Sequence, residues 1–237
     1  MKLRIVKDPA TRRTEILDHA YRLFTQQGYE RTSINQIICS IGFSKGALYH
    51  HFSSKEELLE AITSRLAGQI ADDARSILDD PSLDAFARLT AFLAHMRARK
   101  VEQVAEMREM FEPIFRADNI RLFHRIHAAI TAVVQPILAK IIADGVAERT
   151  FDTPDPDTAA TLIVQLGATG RDLIAEAMAA PGLIERERLI DRLCDRLDYL
   201  GTVVDRILGI PEGSIQLTDK GELRQIMRTM YPSASAA

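Results

Sequence analysis

Residues 32–52 read Thr-Ser-Ile-Asn-Gln-Ile-Ile-Cys-Ser-Ile-Gly-Phe-Ser-Lys-Gly-Ala-Leu-Tyr-His-His-Phe. Thr32 fits a helix cap, 33–40 gives only about two helical turns, and Gly42 breaks the run where a left-handed backbone is expected. Ser44 then caps a second short helix to about His51, in which Leu48 and Phe52, four apart, point inward. Lys45, Gly46, Ala47, Tyr49, His50 and His51 are left to the outside. Two short helices joined by a tight break make a helix-turn-helix, whose second helix must be slim and projecting to enter a major groove about 12 Å wide.

Helix signals continue on both sides. Upstream, Asp8-Pro9 is a cap followed by proline at the first helical position, and Ile16, Leu17, Ala20, Leu23 and Phe24 repeat at helical spacing until Gly28 stops them. Downstream, Ser54-Lys55-Glu56-Glu57 reads as a capping box opening a long helix that ends at Asp80-Pro81. Further amphipathic stretches are expected over 83–100, 101–116, 119–144 (kinked near Pro136 and closed by Gly145), 156–180 and 184–208, with a short helix over 219–230 before a Ser/Ala tail. No alternating β-branched run occurs. The expectation is all-α, nine or ten helices in total: an N-terminal three-helix domain with a helix-turn-helix, then a longer all-helical body. The boundaries are drawn at 1–53, 54–209 and a partly disordered C-terminal extension, 210–237.

Charge divides along the same line. Residues 1–55 carry nine Lys and Arg against four Asp and Glu, so a basic head of +5 precedes a body of −8 in a chain of net charge −3. Such asymmetry suits a small module made for a polyanion on a larger body that is not. The two cysteines, Cys39 and Cys194, support neither a disulfide framework nor a cysteine zinc site, and no uninterrupted apolar run reaches bilayer length. The chain is expected to be cytoplasmic, with no membrane partner, no cofactor and no metal.

The string Ser44-Lys45-Gly46-Ala47-Leu48-Tyr49-His50-His51-Phe52, followed by Ser54-Lys55-Glu56-Glu57-Leu58, resembles the DNA-binding signature of the TetR family of bacterial transcriptional regulators. Ala20, Phe24, Gly28 and Tyr29, with the Thr32-Ser33-Ile34 start, fit the same pattern. The resemblance covers roughly residues 10–60, and beyond them only helical layout and length match. It departs at Ile38 and Ile41, where the family usually has alanine. It implies that the three-helix domain is a DNA-binding domain and the body an all-helical ligand-binding and dimerisation domain, in a homodimeric repressor of a double-stranded palindromic operator released by a small apolar or amphipathic inducer. Thr32 and Ser33 would lie against phosphate. Ser44, Lys45, Gly46 and Ala47 would face the groove, His50 the base edges, and Tyr49, His51 and Lys55 phosphates, with Arg4, Lys7, Arg12 and Arg13 as a basic arm. Read singly, these residues are also ordinary caps and solvated side chains; the ordered string within a basic head is what points to DNA.

In the body, Ile190, Leu193, Leu197, Leu200 and Val204 alternate spacings of three and four, a packing seam that either a partner or the chain's own core could use. The resemblance implies that this helix and the one before it, with Ile163, Leu166 and Gly170, pair with their symmetry mates in a four-helix bundle. Phe92, Met96, Met107, Phe111 and Phe123 offer pliable apolar walls, and His127 and Gln165 polar groups, for the implied ligand pocket. Two rivals stay open. An all-α protein-interaction adaptor needs none of this, and an all-α metal enzyme would have to use His124, His127 and His95, without a Glu-x-x-His or His-Glu-x-x-His string.

Overall fold

The computed structural model describes residues 8–102 and 119–230, the side chains of 97–102 and 226–230 excepted, and every regular element among them is helical. Asp8 starts the first helix as its sequence suggests. Its carboxylate accepts from the Ala10 N–H at 3.1 Å with Pro9 in the first turn, so α1 runs Pro9–Gln27. Then come α2 (Ile34–Ile41), α3 (Lys45–His51), α4 (Lys55–Leu78), α5 (Ala85–Glu102), α6 (Ile120–Ala147), α7 (Pro156–Gly167), α8 (Arg171–Ala179), α9 (Leu183–Leu208) and α10 (Lys220–Met230). The helix expected over 101–116 lies, beyond Glu102, outside the described residues, as do the Ser/Ala tail and Arg4 and Lys7 of the basic arm.

The chain forms two compact units, Met1–Ala67 with Glu109–Ala129, and Gly68–Arg108 with Ile130–Ala237, so α4 and α6 each contribute to both. In the first unit Ile16, Ala20 and Phe24 of α1, Ile37 of α2, Leu48 and Phe52 around α3, Leu58 and Ile62 of α4 and Leu122 of α6 make one buried cluster. These are the inward positions that helical spacing picks out, with Leu122 the contribution from outside the first 67 residues. In the second unit Leu89 and Phe92 of α5, Val134, Leu138 and Ile141 of α6, Ala160 and Ile163 of α7, and Val204 and Leu208 of α9 pack together.

Three details depart from the sequence reading, each for a local reason. The stretch 156–180 is two helices joined by a 3₁₀ turn, Ala168–Gly170, because Gly167 and Gly170 weaken the helix just where Gly170 meets Leu193. Gly145 does not close its helix but lies inside its last turn, where a Cβ would fall 2.1 Å from the buried Phe151 ring. Finally, α6 is by length and composition alone apolar enough to cross a membrane, which a test for uninterrupted apolar runs overlooks. Its buried core positions are Leu122 in one unit and Val134, Leu138, Ile141 and Ile142 in the other, and 22% of its most apolar window is buried.

Candidate nucleic-acid interface

The projecting helix α3 owes its position to three local devices. Gly42 ends α2 at φ 74°, ψ 23°, and since a Cβ there would meet nothing within 4 Å, the requirement is for left-handed backbone rather than for space. Ser44 caps α3 by accepting the Ala47 N–H at 3.2 Å. Leu48 and Phe52, 0 and 1% exposed, pin its underside. What remains outward is Ser44, Lys45, Gly46, Tyr49 and His50, exposed, and Ala47 and His51, half-buried. A Cβ on Gly46 would meet open space, which leaves its backbone approachable.

Cations gather at this end of the unit. The Lys45 ammonium lies 5.7 Å from the Tyr49 ring centroid, and the Arg13 guanidinium 4.9 Å from that of Phe52. His50 and His51 meet edge to face at 5.3 Å. Burial first, then the positive charges of His50, Arg12 and Arg13, hold the His51 pKa below its ordinary 6.5. The neighbouring Glu57 carboxylate is occupied by the Ser53 N–H at 2.6 Å and the Ser53 hydroxyl at 2.7 Å, which keeps its pKa low. A convex helix with small residues at its tip and Arg12, Arg13, Lys45 and the histidines around it can approach a groove and neutralise phosphates.

Two residues expected to touch phosphate serve the scaffold. Thr32 is 1% exposed, and its hydroxyl donates to the Gly28 carbonyl at 2.8 Å and the Leu23 carbonyl at 3.2 Å, so its side chain is unavailable to DNA. The cap falls one residue later, on Ser33, in a reciprocal box with Gln36. Lys55 donates to the Tyr29 carbonyl at 2.9 Å and the Glu30 carbonyl at 3.4 Å, with its ammonium 4.3 Å from the Tyr29 ring centroid. Tyr29 is itself pushed up to a pKa of about 12, by burial first and then by Glu56, to which its hydroxyl donates at 3.3 Å.

Sequence reasoning missed the contribution of α6 to this unit. Asn119 is 1% exposed; its Oδ1 accepts the Tyr29 N–H at 2.9 Å and its Nδ2 donates to the Thr25 carbonyl at 3.3 Å. Arg121 pairs with Glu30 at 2.9 Å. Asn119 in front of an apolar run looks like an ordinary helix cap, and nothing local signals a partner 90 residues away.

The residues expected to line a ligand pocket are divided. Phe92, 1% exposed, is body core, Met96 packs at the edge of that core, and Gln165 is exposed. Phe123 and His127 belong to the first unit and stack on each other at 5.8 Å with rings 5° from parallel. Met107 and Phe111 lie outside the described residues. The expected dimer seam faces inward. Ile190 and Leu193 are 1%, Val204 2%, Leu200 6% and Ile163 8% exposed within the single chain, and a Cβ on Gly170 would meet Leu193 at 3.2 Å. Leu166 and Leu197 are half-buried. Ile163, Ile190, Leu193, Leu200 and Val204 are spent on the chain's own core. The outward stripe is different, with Leu162 of α7 and Leu183, Ile184 and Tyr199 of α9 exposed by 45, 52, 89 and 66%. An open groove of about 550 Å³ lies beside it, lined by Leu183, Ile184, Glu187, Arg188, Asp191, Arg192 and Asp195.

Two family models match the chain. One, described as bacterial regulatory proteins of the tetR family, covers residues 16–62, and the other, described as a tetracyclin repressor-like C-terminal domain, covers residues 85–182. Among curated proteins, the HTH-type transcriptional repressor AcnR of Corynebacterium diphtheriae is 41% identical over 61 residues, 26% of this chain and 32% of that protein. The HTH-type transcriptional repressor KstR2 of Mycolicibacterium smegmatis is 37% identical over 71 residues, 30% of this chain and 35% of that protein. The chain thus spans about a third of the length of these relatives. Among solved structures, reduced NemR of E. coli aligns over 86% of this chain and 99% of its own at 17% identity with a TM-score of 0.56. RolR in complex with the ligand resorcinol aligns over 92% and 94% at 17% identity with a TM-score of 0.53. At such identities the likeness to the solved structures is one of fold.

Proposed function

The chain belongs to the TetR family of bacterial transcriptional regulators, and from that premise we propose that it is a cytoplasmic, homodimeric repressor. It holds a palindromic operator with α3 of each protomer and leaves it when a small apolar or amphipathic molecule binds the second unit. The observation that carries the reading is the tip of α3, where Ser44, Lys45, Gly46, Tyr49 and His50 stand exposed beside Arg12 and Arg13. Lys45 and His51 take phosphates, and Ala47 and His50 read base edges. The relatives' printed names call them repressors, and RolR was solved with a small ligand, which supports repression and ligand response in this chain.

For the partner face, the outward stripe of Leu162, Ile184 and Tyr199 takes the place of the inward seam. Large apolar side chains left this exposed on adjacent long helices suit a symmetric, self-complementary contact. A gel shift of mixed-sequence duplex DNA between 50 and 200 mM salt tests the reading against a protein-interaction adaptor. A regulator binds and weakens steeply with salt. A chain that shifts no DNA at 50 mM is not one.

A further inference from the structure

We infer that Asn119 is a positioning residue for DNA binding, a polar latch by which the first turn of α6 fixes the α1–α2 turn and hence the helix-turn-helix. The inference deepens the proposed regulator function and rests on it. The end of α1 shows why a latch is needed. The Thr25 carbonyl is close to the end of the helix, and the Tyr29 N–H stands just past Gly28, whose backbone at φ 94° has left the helical path. Both groups are buried under the start of α6, where unpaired backbone is costly. One carboxamide supplies both partners, accepting from Tyr29 at 2.9 Å and donating to Thr25 at 3.3 Å. Neither Leu nor Asp offers the acceptor and the donor together.

The fit around the amide is close. A Cβ on Gly28 would come within 3.4 Å of Asn119 Oδ1 and of Arg31 Nε. Arg121, one helical step on, ties Glu30 at 2.9 Å and lies 5.6 Å from the Tyr29 ring, and Leu122 is fully buried in the same cluster. Lys55 of α4 grips the Tyr29 and Glu30 carbonyls. The turn is therefore held by α6 and α4 together, and the Thr32 hydroxyl closes it back on Gly28. α2 begins at Ile34, two residues past Thr32, so a shift of the turn moves the helix on which α3 rests. The ninety residues between latch and turn mean that the placement of α6, and not only local sequence, sets where α3 points.

The test uses the full chain as wild type, Asn119→Leu, Asn119→Asp and Arg121→Ala. The probe is the duplex that the wild type enriches most from a randomised library, titrated by fluorescence anisotropy, with amide hydrogen exchange read at Tyr29. Asn119→Leu should weaken binding about tenfold and speed Tyr29 exchange, because both hydrogen bonds go. Asn119→Asp keeps the acceptor for Tyr29 but turns a buried carboxylate oxygen on the Thr25 carbonyl, so it too should weaken binding severalfold, with Tyr29 exchanging more slowly than in Asn119→Leu. Arg121→Ala, at an exposed side chain that leaves the core intact, should weaken binding about threefold and serves if the leucine variant does not fold. The latch is overturned if a folded Asn119→Leu or Asn119→Asp binds like wild type or if Tyr29 exchange is unchanged in Asn119→Leu, or, where the leucine variant does not fold, if Arg121→Ala changes nothing. A wild type that enriches no duplex overturns the regulator reading instead.

Discussion

Lys45 and Lys55 stand ten residues apart with the same charge, in different surroundings, and under the proposed function they do opposite work. Lys45 is exposed on α3 beside the Tyr49 ring, whereas the half-buried Lys55 is committed to two carbonyls and a ring. One phosphate contact contributes about 0.9 to the slope of log affinity against log salt, and a homodimer loses two, so Lys45→Ala should flatten the loss between 50 and 200 mM by about 12-fold. Its melting temperature should not move. For Lys55→Ala, a charged hydrogen bond and a cation–π contact, both discounted for partial exposure, come to about 1–2 kcal/mol of stability. That is a drop of about 3–6 °C, with the salt slope little changed. Anisotropy titrations at three salt concentrations, paired with thermal denaturation, separate the two. A Lys55→Ala protein that melts like wild type yet loses a unit of salt slope would refute the scaffold role, and an unchanged slope in Lys45→Ala would remove α3 from the DNA.

Other perturbations follow from the same geometry. His51, held below its ordinary pKa by burial and neighbouring cations, should gain a proton when phosphate arrives, so affinity at constant ionic strength should rise as pH falls from 8 toward 6, and His51→Gln should abolish that dependence. Because its folded pKa is depressed, the same group favours the fold above about 6.5 and costs stability as pH drops below it, visible as a lower melting temperature in the wild type than in His51→Gln at acid pH. Ile184→Glu with Tyr199→Glu should sediment as a folded monomer with weak operator binding, whereas Leu193→Ala, in the inward seam, should cost about 2–5 kcal/mol in urea denaturation. A monomer produced by Leu193→Ala at full stability would reverse the two faces. Gly145→Ala drives a methyl into the Phe151 ring and should destabilise by about 3 kcal/mol or more, while Gly42→Ala meets no atom and should cost only about 1–2 kcal/mol of left-handed strain, both read from denaturation midpoints.

Most of the first unit was legible because its signals are local. Asp8 and Ser44 cap helices where side-chain chemistry says they should, and Leu48 and Phe52 are buried where four-residue spacing places them. Where two adjacent residues can both cap, as at Thr32 and Ser33, the sequence does not choose; the decision comes from the buried carbonyls of Leu23 and Gly28 that claim the Thr32 hydroxyl. The second unit was less legible for a related reason. Helix α9 has more apolar positions than one face needs, and the packing of α7, α8, α10 and the 210–217 segment decides which are taken. Buried Asp205 accepts the Gly213 and Ile215 N–H groups and lays that segment against Gly201, filling another side of α9 from within the chain. The carbonyl partners of Lys55 and the whole role of Asn119 escape the sequence because they lie 26 and 90 residues away, beyond the reach of any periodicity.

The central claim is that two copies of α3 read a symmetric DNA site, and selection from randomised duplexes at about 150 mM salt, followed by sequencing of the retained pool, tests it most directly. The account predicts an inverted repeat whose half-sites are centred about one helical turn or a little more apart, lost in a Lys45→Ala, His50→Ala double variant. A retained pool indistinguishable from the input library, or a single unrepeated motif bound by one protomer, would contradict it.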